Sequence, residues 1–249
     1  MLNSDTTAET FYRSNIIVPE KRELTWNDTL IDVSEFEAFL SHVFTAFHAN
    51  PEREKLRVAI NLGLSADDRS LEYRFLRLFT ALESLVSYHR EASGLATVLD
   101  ESSGTQFDSD IRQFIRQHPL FKDFSERRGL IYSKLRDLNR IAFGTAFKET
   151  ASELEKSGFD IGDLWPVSDR SEGTSLTDIR DRLVHGISFT QPEEFHGLFV
   201  AGNHLQWCVE RMLLAYLGWP AGRSLASRGS LMRWVPYADW KTARASMSH

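Results

Sequence analysis

The segment Ile179-Arg180-Asp181-Arg182-Leu183-Val184-His185-Gly186 gathers an arginine, an acid directly after it and a histidine five positions on. Arginine carries a permanent forked cation, which suits a phosphate or the charge that builds on a phosphorane. Histidine is the side chain whose ordinary pKa lets it take and give protons near neutrality. The pair is a minimal metal-free set for breaking an RNA backbone. Spacing alone does not single it out, because Arg112 and His118 repeat the pattern with Gln113 after the arginine. The elements around the first pair do.

Thr174-Ser175-Leu176-Thr177-Asp178 reads as a helix start, with Ser175 as N-cap and Asp178 in the capping-box position. Leu176, Ile179 and Leu183 then recur at helical spacing as a buried stripe, and Gly186 ends the helix with His185 in its last turn. Thr190, Pro192 and Glu193 announce a long helix straight afterwards. Five residues leave Arg180 and His185 about 140° apart around an ideal helix. Convergence on one phosphate needs a distorted last turn, a long reach by Arg180 or a second copy of the chain.

The chain has 249 residues, 42% of them hydrophobic and 26% charged, with a net charge of −6. These values suit one large globular domain or two small ones and exclude a generally basic nucleic-acid binder. Basic charge is concentrated from Arg211 onward, where Arg211, Arg223, Arg228, Arg233, Lys241 and Arg244 face only Asp239. Cys208 is the one cysteine, so no internal disulfide or multi-cysteine zinc site is expected. No phosphate loop, nucleophile elbow or zinc-protease helix is visible, and no metal or cofactor is expected. The N-terminus lacks the pattern of a signal peptide and no apolar run spans a bilayer, so a cytoplasmic protein without membrane contact is expected.

The periodicity predicts an all-α fold. Residues 1–31 read as an arm or short hairpin, 32–219 as a helical domain and 220–249 as a basic, aromatic tail packed on it. Helices are expected from Asp32 or Ser34 through Phe47, from Pro51 to Leu64, from about Asp68 to Ala92, around Asp108–His118 and Asp123–Ala142, and on to Lys156. Turns are expected at Ser93-Gly94 and at Ser102-Ser103-Gly104-Thr105, an irregular loop over residues 157–173, and a last helix from Pro192 to Leu217.

These residues resemble the HEPN superfamily, all-α domains of many prokaryotic toxin, abortive-infection and antiviral proteins. Its signature is Arg, then usually Asn, Asp or His, three to five further residues, and His. Arg180 to His185 fits the short form, with Gly186 behind it. Upstream, Arg74 to Leu85, containing Ala81-Leu82-Glu83, is similar to the first core helix of the ApeA-like branch. The similarity covers roughly Pro51 to Trp219. It implies a metal-independent endoribonuclease that cleaves by 2′-OH transesterification, in antiviral defence or a toxin–antitoxin system. It also implies a homodimer whose two motifs share one cleft, with an antitoxin or defence protein as a further partner. Carried over by position, Arg180 and His185 are catalytic, Asp181 orients them, and Glu83 is a supporting acid from a facing helix. Some members are inactive scaffolds, so the alternative is a non-catalytic helical module that binds RNA, nucleotide or a protein.

Expected RNA contacts are Arg182 beside the motif and Arg223, Arg228 and Arg233 in the tail, where Trp219, Trp234, Tyr237 and Trp240 could stack bases or simply hold the tail down. Ordinary roles exist for each residue. Arg and His at a helix end complement its dipole, Asp181 could pair with Arg182, and Glu83 could pair within its own helix. Glu193-Glu194-Phe195-His196 is a single Glu-x-x-His and reads as helix surface. Arg127, Arg128, Lys134, Arg136 and Arg140 offer another RNA path, interrupted by Glu126 and Asp137.

Overall fold

In the computed structural model the described residues are 8–10, 17–19, 30–64, 70–94, 97–121, 125–135, 138–226, 228–231, 237 and 240–247. Two three-residue strands, β1 (Ala8–Thr10) and β2 (Ile17–Pro19), pair antiparallel with Glu9 opposite Val18. All other described elements are helical: α1 (Phe36–Ala49), α2 (Arg53–Leu64), α3 (Leu71–Ala92), α4 (Glu101–Gln117), α5 (Ser125–Leu135), α6 (Phe143–Lys156), α7 (Leu176–Val184), α8 (Pro192–Tyr216), α9 (Arg228–Leu231) and α10 (Trp240–Ser246).

The core is built on α3 against α8, with α2, α6, α7 and α10 around them. On α3, Phe75, Leu78, Phe79, Leu82 and Leu85 fall on one face at helical spacing and are buried. Helix α8 is buried through most of its circumference, which marks it as the central helix. Each such Leu or Phe contributes about 1.5–3 kcal/mol by leaving water, so a Leu82→Ala cavity would cost about 2–5 kcal/mol.

Two expected boundaries move. The Ser102-Ser103-Gly104-Thr105 cluster is the first turn of α4, not a turn between helices. Asp100 is its N-cap and accepts the Ser103 N–H at 2.9 Å, while the Ser102 and Ser103 hydroxyls also donate to it. Hydroxyls that usually favour turns are here held by a capping acid. The helix expected over 123–142 ends at Leu135. Asn139 accepts the Leu99 N–H through its side chain (2.7 Å) and the Val98 N–H through its carbonyl (2.9 Å), closing the base of the α4–α5 hairpin. Gly104 lies under this clip, since a Cβ there would sit 2.5 Å from the Asn139 amide nitrogen.

The tail after α8 is structural. Trp219 and Tyr237 are buried, and Trp240 is partly buried against Trp165. Gly197 of α8 lets α10 approach, because a Cβ there would meet the Met247 side chain at 2.4 Å. Arg244 of α10, 3% exposed, donates to the carbonyls of Asp169, Gly173 and Thr174. The Thr174 hydroxyl donates to the Met247 carbonyl at 3.0 Å. The tail therefore braces the loop that leads into α7. Among the described residues no helix is long and apolar enough to cross a membrane.

Candidate functional site

Helix α7 is fixed at both ends by its own sequence. Ser175 accepts the Asp178 N–H through its hydroxyl (3.2 Å), and the Asp178 carboxylate accepts the Ser175 N–H (2.9 Å), completing the capping box. Desolvation raises the Asp178 pKa, but the Ser175 hydrogen bonds and the Arg170 guanidinium outweigh it and hold the carboxyl below its ordinary value. At the other end Gly186 takes φ +74°, a backbone that favours glycine. The Gly186 N–H donates to the Leu183 carbonyl and the Ile187 N–H to the Arg182 carbonyl, the pattern of a Schellman end.

That end decides where the motif points. The His185 N–H still donates to the Asp181 carbonyl at 3.0 Å, so the helix is regular through its last turn. The angular offset between Arg180 and His185 therefore stands at about 140°. Distortion of the turn does not bring the two together. Arg180 turns to α3, where Nη2 lies 3.5 Å from Glu83 Oε1, while Nη1 donates to its neighbour Asp181 Oδ1 at 3.1 Å. The Arg180 side chain is 35% exposed and those of Glu83 and Asp181 are 40% and 44% exposed. His185 is exposed, and among the described residues no hydrogen bond, ion pair or ring contact engages its side chain. The structure thus groups Arg180, Asp181 and Glu83 and leaves His185 apart on the same helix end.

Arg182 has a different environment. It pairs with Glu194 at 2.9 Å and lies over the Phe189 ring, 4.2 Å from its centroid. Glu194 also accepts the N–H groups of Thr190 and Gln191, so one carboxylate caps α8 and ties α7 to it. The N-cap of α8 is Gln191, one residue beyond Thr190. Desolvation would raise the Glu194 carboxyl, but these donors and Arg182 hold it below its ordinary value. Arg182 is part of a junction.

Next to this junction lies a cavity of about 770 Å³ between the start of α3 and the α7–α8 turn. Leu76, Leu183, Ile187, Phe189 and Phe195 supply its apolar lining, and Gly186, the residue after His185, opens onto it.

The tail arginines divide. Arg223 pairs with Glu35 and stacks over Trp219, 4.4 Å from a ring centroid. Arg228 is exposed and lines a second cavity with Asp160, Asp163 and Lys241. Arg233 and Trp234 lie outside the described residues. Trp219 and Tyr237 are packed into the body, so their ring faces are not an open stacking surface.

Sequence reasoning missed a buried network. Arg211, counted above with the basic tail, is 2% exposed and forks onto Asp163 with contacts of 2.5 and 3.1 Å. It also donates to the carbonyls of Ala226 and Asp160. The Tyr237 hydroxyl donates to the same Asp163 carboxylate, and the ring stacks on His204 with centroids 5.7 Å apart. Desolvation works to raise the Asp163 pKa, but the Arg211 fork and Tyr237 hold it below its ordinary value. Burial beside that carboxylate pushes Tyr237 up to about 12. The available signal was an arginine beside the apolar stretch Met212-Leu213-Leu214-Ala215 of a helix rich in large apolar residues, where a charge must bring its own partner. On the same helix, desolvation pushes the Glu210 carboxyl up to about 7, with Gln206 donating to it at 2.8 Å.

Among the described residues no group of three or more His, Cys, Asp or Glu could hold a metal ion. No family model, no curated protein and no solved structure matches this chain.

Proposed function

We propose that the chain is a metal-independent endoribonuclease of HEPN type, acting in the cytoplasm in prokaryotic antiviral defence or a toxin–antitoxin system. One observation carries this reading. The Arg-x4-His helix ends at an exposed turn, with Arg180 held from α3 by Glu83 and the His185 ring open to solvent. His185 takes the proton of a ribose 2′-OH as O2′ bonds to phosphorus, or gives one to the 5′-oxygen as the P–O5′ bond breaks. Arg180 stabilises the charge on the phosphorane, with Glu83 and Asp181 setting its direction. The intact last turn keeps Arg180 and His185 on different sides of α7. A two-fold homodimer with facing 180–186 segments supplies the histidine of one copy to the arginine of the other. An antitoxin or defence partner would act on that shared cleft.

End-group analysis of RNA incubated with the protein in EDTA tests the chemistry. The expected products carry a 2′,3′-cyclic phosphate and a 5′-hydroxyl. Loss of cleavage in EDTA, or 3′-hydroxyl ends, contradicts the mechanism.

A specific observation favours the second reading, a non-catalytic helical module binding RNA, nucleotide or protein. Two carboxylates already flank Arg180, so the resting cluster of three side chains is net negative.

A further inference from the structure

A cavity of about 680 Å³ lies between the 160–172 loop and the tail after α8, within the size range of small-ligand sites. Its charges are sorted by wall. Asp160, Asp163, Asp169 and Glu172 line it from the loop, whereas Arg228, Lys241 and Arg244 line it from the tail. Part of this polarity is used within the protein. Arg211 forks onto Asp163, and hydrogen bonds from Ser171, with the Arg244 charge behind them, hold the Asp169 carboxyl below its ordinary value. Asp160 and Glu172 remain on one wall, and Arg228 and Lys241 on the other. All four are exposed, and among the described residues none of them joins an ion pair. Arg244 of α10 donates to the carbonyls of Asp169 and Gly173, so the loop that carries the acids is tied to the tail that carries the cations. Trp240, partly buried against Trp165, adds an aromatic surface, with the Lys241 ammonium 5.8 Å from its centroid.

We infer that this cavity binds a small zwitterion, a molecule with an ammonium at one end and a carboxylate at the other, as in a free amino acid or a short peptide. The ammonium meets Asp160 and Glu172, the carboxylate meets Arg228 and Lys241, and the apolar body lies on Trp240. Charge complementarity selects this class. A phosphate or a polyamine carries one sign and is repelled by one of the two walls. An uncharged molecule takes water from charged groups on both walls and gives neither a partner. A ligand that carries both signs satisfies the two walls at once through charge-assisted hydrogen bonds. Neither Arg180 nor His185 takes part, so the inference stands apart from the ribonuclease reading.

The test is isothermal titration of the full chain with the dipeptide leucyl-phenylalanine, its N-acetyl form, its C-terminal amide and free phenylalanine. The unblocked dipeptide is expected to bind saturably, and each blocked form about tenfold more weakly, the scale of one charge-assisted hydrogen bond. Glu172→Gln is expected to weaken the unblocked dipeptide while leaving the N-acetyl form unchanged. Arg228→Gln is expected to weaken the unblocked dipeptide while leaving the amide unchanged. Both side chains are exposed, so circular dichroism should match wild type. Free phenylalanine separates the two sources: weaker binding than the dipeptide assigns the site to peptides, equal binding assigns it to amino acids, and both sustain the charge-matched site. No saturable binding of either unblocked ligand at millimolar concentration overturns the inference. Equal binding of the blocked forms overturns it too, as do variants that leave the unblocked dipeptide unaffected.

Discussion

Two arginines in this molecule each meet carboxylate, and their settings are opposite. Arg211 is 2% exposed, forks onto Asp163 with a shortest contact of 2.5 Å, and donates to two backbone carbonyls as well. Arg180 is 35% exposed, 3.5 Å from Glu83, and draws on its own neighbour Asp181. A desolvated, fully bonded pair is costly to break, because the partner left behind stays buried and charged. A half-exposed pair with a long contact contributes little stability and exchanges partners readily. The first arrangement holds the tail and the 160–175 loop in place behind α7. The second can release its cation to a ligand. Burial, more than residue type, separates the brace from the candidate site.

Breaking the brace should give the largest effect. Asp163→Asn leaves Arg211 buried without its charge partner and is expected to cost about 3–5 kcal/mol in urea unfolding. The pH sign follows from the Asp163 carboxyl lying below its ordinary value. Its stabilisation is complete above the unfolded pKa near 4 and is lost as pH falls through the lower folded value. Wild type should therefore lose more stability than Asp163→Asn between pH 5 and the acid limit.

Glu210 runs the other way. Its carboxyl is raised to about 7 by desolvation, so the folded state holds a proton that the unfolded state releases above pH 4.5. Stability from this group is greatest at low pH and declines as pH rises towards 7. Glu210→Gln should add roughly 2 kcal/mol at pH 8 and almost nothing at pH 4, allowing for its partial exposure. A Gln variant less stable than wild type at pH 8 would reverse the assignment. A smaller loss, about 1 kcal/mol, is expected for Ser175→Ala, which removes the α7 cap. A melt of that variant with RNA cleavage measured alongside shows whether the helix end moves with its start.

Some of this was legible in the sequence and some was not. The α7 capping box, the Gly186 stop and the apolar face of α3 follow from local rules, and the structure shows each of them. The α4 start failed because Ser102, Ser103 and Gly104 look like a turn until Asp100 is seen to accept from them. The fate of Arg211, Arg182 and Arg244 was illegible for a different reason. Their partners Asp163, Glu194 and the 169–174 carbonyls depend on tertiary placement. Charge counted along the chain made the tail look like an RNA arm, whereas two of its cations are buried braces. The Glu83–Arg180 proximity links residues 97 positions apart, and only the facing of α3 and α7 creates it.

The smallest expected effect on stability belongs to the candidate site. Arg180→Ala, Glu83→Gln and His185→Ala should each change unfolding free energy by less than about 1 kcal/mol, as exposed pairs and helix-end residues do. Activity should divide the same variants sharply. Single-turnover cleavage of single-stranded RNA in EDTA, with a thermal melt on each preparation, reads both quantities together. The ribonuclease account predicts that Arg180→Ala and His185→Ala lose at least about a hundredfold in rate with melting curves like wild type. Wild-type cleavage by His185→Ala, in a protein whose melt is also unchanged, would contradict it.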